Sequence, residues 1–424
     1  MMASAENRIM GEVQPDIEHG IAINKHQFSL NLIQIFLVGL TIGMTRVVVP
    51  GLAESQFGLA DNAFFLLASF VVVFGIVKAV MNLFAGKLSE THGRKTVLLW
   101  GWLIALPIPF ILLYAPSWNW IIFATVLLGF NQGLCWSMAL NSKLDLAKST
   151  QKGFVNGVNE FAGYAAVGIA GVATAYIVEL MGAKEGLFWF SLVVIIAGLV
   201  LAKWTIVETL PWAKLHHQNA LDAGQKTKPQ TLAQLFKEGS LDNKYLVALN
   251  QAGLVEKFTD ALVWIFLPVY FLSQDISLIE AGAIIAVYGV VWGGSQLITG
   301  PLSDKIGRKS LIVWGMWFCG LGVMAVPLTE GIVIWSVEAA VIGVGMAMLY
   351  PNLGAAVGDF APAAHRASLI GVYRFWRDSG YAFGALAMGI MAQWSQDLLM
   401  PFWFVSIAML LSGFWVQVVL PKKS

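Results

Sequence analysis

Charge is scarce in this chain. Asp, Glu, Lys and Arg together make up 12% of its 424 residues, about half the share found in soluble globular proteins. Cysteine is scarcer still: Cys135 and Cys319 are the only two. Both lie inside apolar runs, so a disulfide framework is not what holds this fold together. A net charge of +1 gives no reason to expect nucleic acid. No Gly-x4-Gly-Lys-(Ser/Thr) loop is present, which argues against ATP-driven work by this chain alone. No His-rich or Ser/His/Asp constellation is present either. The pair His216-His217 stands isolated in a polar stretch and reads as solvated, so the chain is not expected to be an enzyme or to hold a metal or a cofactor.

Apolar residues fill the space that is left. They amount to 58% of the chain, and the mean hydropathy is +0.71. A membrane span needs roughly 20 such residues, so this length holds about a dozen. Twelve spans are predicted, near 30–51, 62–84, 96–115, 118–140, 154–180, 186–207, 246–272, 278–299, 311–329, 331–353, 368–394 and 400–420. The chain divides into a polar N-terminal tail (1–28), a six-helix bundle (29–207), a polar central loop (208–245), a second six-helix bundle (246–420) and a short tail (421–424). The first 28 residues mix both charges and have no apolar core, so they read as a cytosolic tail and not a cleaved leader. Lys87, Arg94, Lys95, Lys148, Lys152, Lys305, Arg308, Lys309 and Arg366 cluster on one set of loops, while the opposite set carries little beyond Lys184. Positive loops stay on the cytoplasmic side, which puts both termini inside a plasma-type membrane.

The second half repeats the first at an offset of 214 residues. Residues 86–95 read Gly-Lys-Leu-Ser-Glu-Thr-His-Gly-Arg-Lys and residues 300–309 read Gly-Pro-Leu-Ser-Asp-Lys-Ile-Gly-Arg-Lys. The same register pairs Gly75 with Gly289, Gly129 with Gly343, Asp145 with Asp359 and Phe161 with Phe375. The pattern Gly-x-Leu-x-(Asp/Glu)-x-x-Gly-Arg-Lys resembles the loop signature between the second and third helices of the major facilitator superfamily (MFS). The resemblance implies an all-α membrane protein, with twelve helices in two pseudo-symmetric bundles and a site near midplane between them. It also implies a gating role for Gly86, Glu90, Gly93, Arg94 and Lys95, and for their counterparts Gly300, Asp304, Gly307, Arg308 and Lys309. Asp145 would then latch Arg94, and Asp359 would latch Arg308; the alternative is a topological anchor that does not switch.

A charge at the centre of a span costs at least ~2.5–3.5 kcal/mol and so calls for a reason. Spans 3, 9 and 12 carry none, and in the superfamily the third helix of each triplet faces lipid. The charges fall on the other spans. Arg374, Arg377, Asp378 and Tyr381 lie on one face of span 11, with Arg377 and Asp378 roughly 15 Å in from its inner end. Two guanidiniums against one carboxylate make a seat for an anionic substrate group; otherwise Asp378 neutralises one Arg and Glu160 of span 5 the other. Glu256 and Asp260 of span 7, together with Glu160, are the candidates for carrying a coupling proton, unless Lys257 closes a purely structural pair with them. Arg46 of span 1 is a second anion ligand or the partner of Asp260, its counterpart in the register. Lys78 is given little weight because a lysine can snorkel. Asn131 and Gln132 of span 4 either contact substrate or bridge neighbouring helices. Trp264 and Trp376 lie deep enough to wall a cavity.

These residues describe a monomeric secondary transporter of a small solute, working by alternating access, with protons as the expected coupling ion in symport or antiport. Two alternatives stand beside it. One is a multidrug/proton antiporter, although span 5 lacks the Gly-Pro step of that subgroup and Gly129 takes the place of its span-4 arginine. The other is a non-transporting receptor or scaffold, which would have no need of charges in its inner helices.

Overall fold

In hydrocarbon every backbone N–H and C=O needs an internal partner, and a helix supplies one for each. The computed structural model describes residues 17–60, 62–215, 231–361 and 366–421, apart from the side chains of Ser149, Leu232, Asp304, Arg366 and Ala367, and over these residues it is all helical. The long helices are α1 (Lys25–Gly51), α2 (Phe64–His92), α3 (Arg94–Tyr114), α4 (Trp118–Leu146), α5 (Lys152–Met181) and α6 (Ala183–Trp204), followed by α7 (Lys244–Ser273), α8 (Leu278–Ile306), α9 (Arg308–Leu328) and α10 (Ile332–Phe360), α11 (Arg366–Ser395) and α12 (Met400–Val419). Ten of them are long and apolar enough to cross a membrane. The other two, α7 and α11, match them in length and carry Glu256, Lys257 and Asp260, and Arg374, Arg377 and Asp378.

The helices run past the predicted spans at the end that carries the repeated motif. Residues 86–92 and 300–306 are helical and not loop. Each turn contracts to one glycine, Gly93 at φ +88° and Gly307 at φ +91°, a conformation open to Gly because it has no Cβ. The 208–245 stretch is likewise not a plain loop. Residues 210–215 are helical, and Leu232–Lys237 forms a short helix with Thr231 as its N-cap. Residues His216, His217, Lys226 and Lys228 lie outside the described residues.

Leu103 and Phe110 of α3, Trp189 and Val193 of α6, Trp314 and Leu321 of α9 and Leu411 and Phe414 of α12 expose their side chains, as an outer ring in lipid does. The halves meet inside that ring, α2 against α11 and α5 against α8, with α7 reaching the end of α1. Small residues set the closeness of these contacts. A Cβ built on Gly389 would lie 2.8 Å from Ala68 Cβ, and one on Gly75 would lie 2.7 Å from Tyr381 Cβ. Along α5 and α8 the packing loosens toward the motif end. A Cβ on Gly289 would be 3.2 Å from Gly168 Cα, and one on Gly157 would be 4.0 Å from a Leu297 methyl, while Gly153 and Gly300 have nothing within 4 Å. Gly86 of α2 and Gly371 of α11 are equally clear. The halves are therefore closed at the far end and splayed at the end bearing the Gly93 and Gly307 turns.

Candidate functional site

The closed end is sealed by an ion pair across the two halves. Helix α1 breaks at residues 44–47, where the amides of Thr45 and Arg46 bond to Ile42 and Gly43, three residues back. The break frees the carbonyl of Thr45, which accepts from Trp264 Nε1 at 3.3 Å. It also turns Arg46 inward, across the Trp264 ring at 5.2 Å. Its guanidinium grips Asp260 of α7 with both terminal nitrogens, at 2.5 and 3.1 Å. Tyr288 donates to the same carboxylate at 3.2 Å, and Tyr381 donates to its other oxygen. Arg46 is 1% exposed and Asp260 0%, so this carboxylate has exchanged water for four protein donors.

Lys257 lies one turn from Asp260, 3.7 Å from its Oδ2 and 3.2 Å from Glu256 Oε1. Four rings surround the ammonium: Trp292 and Tyr350 at 4.7 Å, Tyr381 at 5.4 Å and Tyr164 at 5.6 Å. A desolvated cation gains from such faces. Glu256 relies on that ammonium alone, since neither of its buried oxygens has a further hydrogen-bond partner.

Toward the open end the charge comes from α11. Arg377 Nε donates to Asp378 Oδ1 at 3.0 Å and lies over Tyr350 at 4.6 Å. Asn82 of α2 donates to the other Asp378 oxygen and is itself held by Ser137 at 3.1 Å. Glu160 of α5 accepts from Asn159 at 2.8 Å and Trp136 at 3.3 Å, and its second oxygen is unpartnered. Arg374, one turn before Arg377, is partly exposed. Among the described residues it makes no hydrogen bond or ion pair.

At the splayed end each motif arginine holds a carboxylate of its own half. Arg94 Nε is 3.1 Å from Asp145 Oδ2, and Arg308 Nε is 2.5 Å from Asp359 Oδ2. In the first half Glu208 joins in: it accepts the amides of Arg94 and Lys95 at 2.8 and 3.1 Å, an acid at the N-terminus of α3. Lys309 instead donates its ammonium to the carbonyl of Leu420 at 2.5 Å. Glu90 is exposed and unpaired among the described residues; the Asp304 side chain lies outside them.

The sequence profile of the Major Facilitator Superfamily matches residues 32–249 and 252–424. The chain belongs to that superfamily. Its relatives include an uncharacterized MFS-type transporter of Salmonella typhimurium, 23% identical over 393 residues, covering 87% of this chain and 92% of the relative. The proton-coupled antiporter flippase LtaA of Staphylococcus aureus is 23% identical over 397 residues, 91% and 93% of the two chains. Among solved structures, a D-xylose-proton symporter superposes with a TM-score of 0.73 at 16% identity, over 93% of this chain and 98% of that one. A partially occluded, inward-open form of the xylose transporter XylE from E. coli gives 0.70, also at 16% identity, over 94% and 98%.

Against this MFS frame some sequence expectations need correction. Asn131 and Gln132 do not face the space between the halves. Both are 0% exposed inside the first half, where Asn131 donates to the carbonyl of Gly101 at 3.1 Å and Gln132 to that of Val38 at 2.9 Å, because a buried amide must find backbone partners. Arg46 and Tyr381 are occupied by Asp260 and are not free ligands. No Arg374–Glu160 pair forms. Trp376 points to the linker and donates to Ser240 at 2.8 Å. Lys78 does not snorkel; it is buried between Phe74, Trp136 and Tyr381. The sequence reading passed over Tyr164, Trp292 and Tyr350, whose aromatic rings are indistinguishable by type from ordinary packing. It also passed over Asn82 and Glu208. Glu208, an acid just after span 6, was the one signal available for the last of these.

Proposed function

We propose that this MFS protein is a secondary active transporter of a small anionic solute, coupled to protons, with its motif-bearing end in the cytoplasm. Arg374 carries the reading. It is a partly exposed guanidinium, without a counterion among the described residues, standing between the halves where they splay. Arg377 lies one turn away with its charge already met by Asp378, so the pair offers one unneutralised fork of donors to a carboxylate or phosphate. The relatives support the class of activity by their names, a proton-coupled flippase and a proton symporter among them. Buried carboxylates at Glu256 and Glu160 supply titratable groups on the cavity helices.

A second reading has its own observation. Beside the site, α2 and α11 leave a cleft of about 230 Å³ lined by Val72, Ile76, Val80, Phe375, Phe383 and Leu386. An amphipathic anion would lay its tail there while its head met Arg374, which fits relatives named as a flippase and, over 37% of this chain, as a quinolone resistance protein. Thermal unfolding of the purified protein with a panel of carboxylates, phosphates, sugars and amphipathic drugs tests both readings. Anions should raise Tm, and Arg374→Gln should abolish the shift. Stabilisation by neutral or cationic compounds alone would remove the anion assignment. Protection that requires an alkyl tail of eight carbons or so would favour the second reading.

A further inference from the structure

The charges at the closed end balance only while the halves touch. Arg46 arrives from the first half, while Asp260, Lys257 and Glu256 all belong to α7. When the far end opens, Arg46 leaves with α1, and the second half keeps two carboxylates against one ammonium. A buried carboxylate stripped of its partner is strongly disfavoured. Among the described residues Lys257 is the cation placed to replace Arg46, already 3.7 Å from Asp260 Oδ2, so a small shift of its flexible stem completes the exchange. That shift takes it from Glu256, whose two oxygens have no hydrogen bond to fall back on.

The remaining groups packed around these three do not supply the missing charge. Arg377 of α11 is committed to Asp378 at 3.0 Å, and Lys78 of α2 is enclosed by rings. Helix α5 presents Tyr164, α8 Tyr288, α9 Cys319, α10 Tyr350 and α11 Tyr373 and Tyr381. Helix α12 has no ionisable side chain.

We infer that Lys257 is a counterion exchanger: when Arg46 withdraws, Lys257 transfers from Glu256 to Asp260, and Glu256 binds one proton from the entering water. Return of Arg46 reverses both steps; the O–H bond on Glu256 breaks and the proton goes back to water as Lys257 resumes its place. Lys257 acts as a positioning residue, and Glu256 is the group that exchanges the proton. This rests on the carrier reading above and deepens it by naming the event to which the proton is tied.

The test uses the full chain in liposomes, with spin labels on Ser55→Cys and Gln274→Cys. These exposed positions lie on opposite halves at the far end, and Cys135 and Cys319 are buried. The ratio of wide to narrow label distances, followed from pH 5 to 8, should rise as pH falls, by about tenfold per unit where one proton titrates. Glu256→Gln should flatten the profile with the far end open throughout. Lys257→Gln should flatten it with the far end closed, and Lys257→Arg should restore the wild-type slope. An unchanged slope in Glu256→Gln or Lys257→Gln would overturn the inference while leaving proton coupling intact. Opening without any pH dependence would overturn proton coupling as well, and a distance that never changes would overturn the carrier reading itself.

Discussion

Arg377 and Asp378 show what a single side chain must satisfy at this depth. Asp378 is 0% exposed, and Arg377 provides its full countercharge from the adjacent position on α11. Asn82 adds a neutral hydrogen bond from the other half. Replacing Arg377 by Met keeps the volume but strips the carboxylate. Losing one partner of such a buried pair costs about 3–5 kcal/mol, whereas losing both with similar volume is close to neutral. Arg377→Met should therefore lower the unfolding midpoint strongly, and Arg377→Met/Asp378→Leu should recover most of the loss when the two are compared in one detergent. Equal destabilisation by the single and the double variant would count against this account of the pair.

Among the elements, α3 has a start that depends on a distant segment. Its first turn follows Gly93 directly, with no side-chain cap from its own residues. The carboxylate of Glu208, beyond α6, takes the two leading amides instead. A Cβ on Gly93 would run into that carboxylate, so the glycine serves both the turn and the cap. Glu208→Gln should weaken the start of α3 by about 0.5–2 kcal/mol, the usual range for a lost cap. Hydrogen exchange at the Arg94 and Lys95 amides should speed up while that at the Arg308 end of α9 stays unchanged. The break in α1 is the second such case: the bonds tighten at Thr45 and Arg46, and Trp264 of α7 satisfies the carbonyl that is released.

On the scale of the whole molecule, the gradient of contact between the halves predicts a rocking motion and locates its stops. Gly371 has open space around its Cβ position in this conformation, and Gly75 has none. Gly371→Trp should leave thermal stability within about 0.5 kcal/mol yet prevent closure at the motif end, and counterflow in proteoliposomes should fall to background. Gly75→Trp should do the opposite by wedging the far end apart, and the spin-label ratio should move to the wide state at every pH. If both variants transported at the wild-type rate, rigid-body rocking about these contacts would be the wrong description.

The sequence by itself determined the membrane, the duplication and the inventory of expensive residues. A chain with 58% apolar and 12% charged residues, arranged in span-length runs, is suited to lipid. An offset of 214 cannot persist across several helices without duplicated bundles, and buried charges stand out against an apolar background. It even placed Arg46 opposite Asp260, because the pseudo-symmetry axis brings equivalent positions of α1 and α7 together. Only the tertiary structure decided which polar groups face the partner half and which face inward within their own. Asn131 and Arg374 both lie within their spans, but rotation about each helix axis, set by packing of α4 with α2 and α3 and of α11 with α2 and α7, separates a buried brace from a cation with no partner among the described residues. Tyr164, Trp292 and Tyr350 acquire their role in the same way. A ring becomes a cage wall only when four helices bring it to one ammonium, and no spacing along the chain encodes that meeting.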